Sequence, residues 1–257
     1  MQALIAGELQ AVGVGGNPIV LASAAGAEVK VVLSFNNVLP YEIFAAPKER
    51  DSIRRIADLK GKRVGISRRG AESESIIRLL LKRAKINPED VSYLQVGGSG
   101  ERLAALEKGA IDATAMSLPL NLEARRLGFP LIATVVKDNM DWLHTALAMN
   151  QNYIDKEART AESIIRAIME ATEFGIKNRE LTKKVISKYL KLQDEAILQG
   201  AYQYFREFYA RDFRPSQQGI RNILEEIAVS RPDTRGFDSQ AIINLALIEI
   251  AEKNTSR

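Results

Sequence analysis

Cysteine is absent from the 257 residues, and histidine and tryptophan occur once each. Without thiols there is no disulfide, thiolate metal site or cysteine nucleophile to consider. The lack of disulfides does not fix a compartment, because a well-packed two-lobed protein can dispense with them. The single histidine, His144, has no Gly-x-Ser-x-Gly elbow to serve. A catalytic triad would need it beside a nucleophile and an acid. It is read as a structural or hinge-associated residue, and no catalytic residue, metal site or cofactor is expected. No apolar run approaches the ~18 residues of a membrane span. The start, Met1-Gln2-Ala3-Leu4, has neither a basic stretch nor a cleavage site, so no signal peptide is recognisable. Low-complexity sequence is lacking too, apart from the short polar tail Asn254–Arg257.

What is present is the balance of a globular protein: 46% hydrophobic and 26% charged residues. The formal net charge is +4. A nucleic-acid binder gathers its cations on one face or tract. Here the pairs are scattered as Arg54-Arg55, Arg68-Arg69, Arg125-Arg126 and Lys183-Lys184. No nucleic-acid partner is expected, and the mild basicity favours an anionic ligand only slightly.

The first half alternates strand-like and helix-like runs. Strands are expected at Ala11–Val14, Lys30–Phe35, Arg63–Ser67, Val91–Val96, Ala113–Ser117 and Leu131–Val136. Helices are expected between them at Pro18–Ala25, Gly70–Lys85, Gly100–Lys108 and Asn121–Leu127. Such alternation predicts an α/β fold with parallel-rich sheets. Tyr41–Ala46 and His144–Asn150 are strand-like but break the rhythm, as two hinge strands around an inserted lobe would. The expected division is residues 1–45 with 146–257 as one lobe and 46–145 as the other. After Asn150 the pattern is helical. Thr160, Asp194, Ser216 and either Asp238 or Ser239 stand where N-caps are expected.

Ligands in open parallel sheets lie beyond the carboxyl ends of the strands, where helix N-termini offer free N–H groups. Four such junctions stand out. In Gly15-Gly16-Asn17-Pro18, Gly16 permits close backbone approach, Asn17 suits an N-cap and Pro18 a first helical position. In Ser67-Arg68-Arg69-Gly70-Ala71-Glu72-Ser73, Arg68 or Arg69 could fork onto an oxyanion. Glu72 and Glu74 in the same turn suit the helix dipole and would oppose an anion facing them. In Gly97-Gly98-Ser99-Gly100, Gly98 and Ser99 expose amides, without the spacing of a Walker loop. Met116-Ser117 closes a further strand. Asn36 and Asn37 follow another strand and read either as a turn or as an amide clamp, with Tyr41 adding a phenol.

The run Asp58-Leu59-Lys60-Gly61-Lys62-Arg63-Val64-Gly65-Ile66-Ser67 resembles the "dLkGKrVGv" signature of periplasmic binding proteins of the second structural type. Ile86-Asn87-Pro88-Glu89-Asp90-Val91 is similar to their "Gl.peDV" turn. Leu103–Ala113 is similar to their "r..AL..G.vDA" helix and strand, and Ala3–Gln10 resembles "aLlsGelD". The branch resembled is that of nitrate-, sulfonate-, taurine- and pyrimidine-precursor-binding proteins. The resemblance implies a two-lobed periplasmic-binding-protein-like fold and the solute-binding role of an ABC importer. It further implies a small-molecule ligand taken between lobes by hinge closure, a membrane permease as partner, a monomer, and a periplasmic or other extracytoplasmic location for the full-length product. It places ligand contacts at Gly16-Asn17, Asn36-Asn37, Gly70-Ala71-Glu72, Gly98-Ser99 and Met116-Ser117. The family begins with a signal segment and a further strand–helix unit, so on the order of several tens of residues, comparable to one βαβ unit, are expected to be missing here. Two other readings remain. One is an enzyme on the same fold that makes a thiamine pyrimidine, a type that uses a cysteine-rich motif and iron. The other is the sensing domain of a regulator.

Overall fold

The computed structural model of the chain describes residues 1–136, 140–209, 212–229 and 231–255. In chain order its elements are α1 (Gln2–Ile5), β1 (Ala11–Gly15), α2 (Gly16–Ala24), β2 (Val29–Val38), β3 (Tyr41–Ala45), β4 (Arg63–Ile66), α3 (Glu72–Arg83), β5 (Ser92–Gln95), α4 (Ser99–Glu107), β6 (Ala113–Ser117), α5 (Leu120–Arg126), β7 (Leu131–Thr134) and β8 (Asp141–Asn150). Helices complete the chain: α6 (Gln151–Lys156), α7 (Ala158–Lys177), α8 (Arg179–Leu190), α9 (Glu195–Phe208), α10 (Gln217–Ile227) and α11 (Ala246–Thr255). Of the polar tail expected from Asn254, residues 256–257 lie outside the described residues.

The chain divides into two compact units. The first comprises Met1–Val38, Asp141–Leu192 and Tyr202–Arg257; the second comprises Leu39–Met140 and Gln193–Ala201. Helix α9 is thus shared between them.

In the first unit β8 lies between β1 and β2 and runs antiparallel to both. The β-branched run of β2 suits a strand buried on both faces, and Val31, Val32, Leu33 and Ser34 are all fully buried. One core forms where Val32, Leu33, Leu147 and Met149 meet Ile154, Ala161 and Ile165 of α6 and α7 and Leu247, Ile248 and Ala251 of α11. Helices α2 and α10 also pack against β8 and against each other.

In the second unit the sheet order is β5-β4-β6-β3-β7. Strand β4 pairs in parallel with β5 and β6, whereas β3 is antiparallel to β6 and β7. Among the named strands every antiparallel pairing therefore involves β3 or β8, the two segments that broke the strand–helix rhythm. The reason is connectivity: a parallel neighbour needs a crossover helix. Among the described residues no α-helix intervenes between β2 and β3 or between β7 and β8.

Three helix starts differ from expectation. Thr160 lies inside α7, whose cap position is Glu157, the residue at which α6 also stops. Asp238 caps only a short 3-10 turn, Ser239–Ile242. Ile243 then goes extended to bridge Val31, and α11 begins after that detour. At α2 the cap is Gly15, so Asn17 and Pro18 already lie within the helix. Asp194 and Ser216 do cap α9 and α10, accepting from the Ile197 and Gly219 amides at 3.0 and 2.9 Å.

One ion pair fastens the second unit. Asp112 is buried immediately before β6. Its Oδ2 accepts from the Arg63 amide at 2.9 Å and Nε at 3.0 Å, and its Oδ1 from Nη2 at 2.6 Å. In return the Asp112 amide donates to the Arg63 carbonyl at 2.8 Å. The Arg63 hydrogen bonds, outweighing the cost of burial, pull the Asp112 carboxyl down from 3.8 to about 2. A depressed folded-state pKa means stability that is complete above 3.8 and is lost as pH falls through about 2. Asp112→Asn is expected to cost about 2 kcal/mol at neutral pH and to flatten the acid limb of the stability curve. Urea unfolding at neutral pH and at successively lower pH measures both, and an unchanged acid limb would remove the pair from this role.

Candidate functional site

The second unit gathers polar side chains at the carboxyl ends of β4 and β6. Antiparallel register sets Tyr41, the first residue of β3, opposite Ser117, the last of β6. The chain leaving β4 turns into α3, whose first residue is Glu72. The Tyr41 phenol hydrogen-bonds with both the Glu72 carboxylate and the Ser117 hydroxyl. Tyr41 and Glu72 are buried. Burial first, and then the negative charge of Glu72, push the Tyr41 phenol far above its ordinary pKa, while nearby Arg102 opposes the shift. At neutral pH the phenol therefore keeps its proton.

Arg102 lies in the first turn of α4 and is only 3% exposed. Its Nη1 donates to the Gly97 carbonyl at 2.6 Å. Its Nη2 donates to Ser99 Oγ at 3.0 Å and to the Ala115 carbonyl at 3.3 Å. Among the described residues nothing accepts from its Nε. Burial lowers the guanidinium's pKa, with Tyr41 and Glu101 acting the other way. A fixed cation thus ties the 97–99 loop to the end of β6. Sequence reading did not single out Arg102. The available signal was its position three residues after Ser99, on the same side of a first helical turn.

Four expected residues, Tyr41, Glu72, Ser99 and Ser117, therefore belong to one cluster, with Gly98 as the N-cap of α4. Other expected residues are committed elsewhere. Arg69 Nη1 donates to Glu74 Oε1 at 2.8 Å, and its guanidinium stands 5.2 Å over the Tyr93 ring. The Gly70 amide donates to Glu74 Oε2 at 2.8 Å, and Ala71 is the cap of α3. Glu74 thereby occupies the place an anion would take at this helix start. Arg68 is exposed beside it. The Met116 side chain lies in the apolar core with Phe44, Leu106 and Phe129.

In the first unit the expected residues are largely structural. Asn17 Oδ1 accepts from Trp142 Nε1 at 3.1 Å. Asn37 Oδ1 accepts from Ser34 Oγ and from the Ser216 amide, each at 2.9 Å, and its Nδ2 donates to the Arg214 carbonyl at 2.7 Å. It thus clamps β2 to the segment before α10. Asn36 Oδ1 accepts from the Val38 amide at 2.8 Å, and its Nδ2 donates to the Tyr204 hydroxyl. A groove of about 350 Å³ in this unit is lined by Gly7, Gln10, Asn150, Tyr153 and Lys156 among others, and holds none of the expected residues.

The comparisons with known proteins agree with the fold. The family model described as "NMT1/THI5 like" matches residues 1–180. The chain belongs to this family. A curated relative, the nitrate/nitrite binding protein NrtA of Nostoc sp., is 25% identical over 158 residues, which is 58% of this chain. The chain spans about a third of that relative's length, 35%. Among solved structures, a Bordetella bronchiseptica RB50 protein superposes with a TM-score of 0.84 at 21% identity, covering all of this chain and 84% of the other. The periplasmic aliphatic sulphonate binding protein SsuA from Escherichia coli gives 0.73 at 20% identity, over 95% of this chain and 78% of its own. The fold is that of periplasmic binding proteins. It also carries catalysis elsewhere: the desulfurization enzyme DSZB superposes at 0.69 with 13% identity, over 96% of this chain and 86% of its own.

Two glycines separate packing from exposure. A Cβ on Gly16 would stand 1.9 Å from the Leu143 carbonyl oxygen, whereas one on Gly100 would meet nothing within 4 Å. Gly16→Ala is expected to destabilise the protein by roughly 3 kcal/mol or more, and Gly100→Ala to stay within about 0.5 kcal/mol. Thermal melts of the two variants test this. Equal melting temperatures would return Gly16 to the list of ligand-facing residues.

Proposed function

We propose that the chain is the solute-binding component of an ABC importer, which captures a small polar or anionic organic molecule and passes it to a membrane permease. The observation that carries this reading is the Tyr41–Glu72–Ser117–Arg102 cluster at the strand ends of the second unit. Its groups are built to orient a ligand. The phenol holds its proton far beyond neutral pH and the guanidinium is pinned by three hydrogen bonds. Neither therefore matches the demand on a general acid or base, whose pKa lies near the working pH. This favours binding over catalysis on a fold that serves both.

The relatives' named ligands, nitrate and sulfonate, supply the oxyanion part of the reading. Glu72 narrows it. A buried carboxylate opposes a bare anion and welcomes a hydrogen-bond donor. An aminosulfonate of the taurine class offers both an oxyanion and an ammonium group, and fits better than nitrate.

Thermal-shift titration with taurine, alkylsulfonates, nitrate and pyrimidines tests the proposal, since a ligand at many times its dissociation constant raises the melting temperature by mass action. Taurine is expected to give the largest shift. Tyr41→Phe should weaken it by about three- to tenfold, the value of one ordinary hydrogen bond. Replacing exposed Arg68 with Ala should leave it unchanged. No shift with any compound, or a loss confined to Arg68→Ala, would reject this site.

A further inference from the structure

Helix α8 is amphipathic in the wrong sense for a helix on a water-facing surface. Leu181, Val185 and Tyr189 recur at i, i+4 and i+8, and so lie along one face. That face is turned outward: the three are 49%, 46% and 73% exposed. Inward, Lys183 is buried beside Glu180 at 3.3 Å, and Thr182 donates to the Gly175 carbonyl at 2.8 Å. An ordinary surface helix places its apolar stripe against the core and its charges in water. Among the described residues, five of the twelve exposed large apolar side chains fall between 174 and 190, and three of them form this stripe.

The charges around it are mainly positive, and the one carboxylate in the helix, Glu180, is paired with Arg179 and Lys183. Lys184 and Lys188 flank the stripe on the same side, and Lys191 follows the last turn. All three are exposed, and among the described residues no carboxylate pairs with them. Lys188 Nζ stands 5.4 Å from the centre of the Tyr189 ring. Apolar side chains edged by lysines are the pattern of a helix lying in a membrane interface, with its stripe among acyl chains and its ammonium groups at anionic headgroups. A second copy of the chain fits less well. A two-fold contact through this face would gather the Lys184 and Lys188 ammonium groups of both copies along one seam.

We infer that α8 is a membrane-facing surface that holds the protein reversibly on an anionic lipid bilayer. The inference stands apart from the ligand cluster and does not depend on which solute is carried. One short helix supports weak, salt-sensitive association and no insertion.

The test is co-flotation of the whole protein with vesicles of phosphatidylglycerol mixed with phosphatidylcholine, against vesicles of phosphatidylcholine alone. Binding is expected to the mixed vesicles only, and to fall as salt is raised. Each lysine near the surface contributes roughly fivefold, so Lys184→Glu with Lys188→Glu should weaken binding at least tenfold. Val185→Ser with Tyr189→Ser should weaken it several-fold, and because these side chains are exposed the melting temperature serves as the folding check. Lys82→Glu with Lys108→Glu, exposed on the other unit, should leave binding intact. Three results would overturn the inference: no association with the anionic vesicles, an equal loss in the Lys82/Lys108 pair, or stripe variants that alter oligomeric state in light scattering while vesicle binding is unaffected.

Discussion

The second unit depends on the fork between Arg63 and Asp112. Strand β4 is four residues long and lies between β5 and β6, with few ladder bonds of its own to hold its register. The arginine's amide, Nε and Nη2 all end on one carboxylate at the foot of β6. With the amide returned from Asp112 to the Arg63 carbonyl, the two parallel strands are locked at their amino ends. Their carboxyl ends then have a fixed offset, and those ends deliver Glu72 and Ser117 to Tyr41. A slip of one residue would turn each of these side chains to the opposite face.

This arrangement explains why the sequence declares its family more clearly than its ligand. Arg63 is the central residue of the "GKrVG" run, and Asp112 is the acidic residue of "vDA". The two most recognisable motifs are the halves of a single structural fastening. Gly109, between them, accepts from both Arg63 Nη2 and Lys48 Nζ. Such residues are dictated by sheet geometry and are indifferent to the solute. The residues proposed to orient the solute, Glu72, Tyr41 and Arg102, lie beside those runs or in positions that read as ordinary strand and helix starts.

Alternation of period and the strand–helix rhythm sufficed for most elements, because half-buried strands and amphipathic helices impose different spacings. Junction chemistry was harder to read. The stretch Gly15 to Pro18 carries every local mark of a ligand loop. Whether Asn17 meets a ligand or the Trp142 indole depends on a strand 125 residues away. Asn37 reads as a turn residue, but its partners are at 214 and 216. Arg69 looks like an anion fork until Glu74, five residues on, is found to satisfy it. For Asn17 and Asn37 the deciding partner is fixed by tertiary proximity, which local spacing does not encode, whereas for Arg69 it is a neighbour in the same turn. Tyr41 and Ser117 were legible because a backbone register, not a side-chain choice, brings them together.

The cluster also bears on what a change of function within this fold requires. A phenol hydrogen-bonded to a buried carboxylate is one proton away from acid–base chemistry. What prevents it is the height of the phenol's pKa, which burial sets more strongly than Glu72 does. Arg102 pulls in the opposite direction, but its own charge is spread over the carbonyls of Gly97 and Ala115 and the hydroxyl of Ser99. Admitting water to the cluster, or freeing the guanidinium from those three acceptors, would bring the phenol down toward a working range. On the proposed reading, rigid burial suits the site to recognition, and a looser packing of the same residues would favour proton transfer.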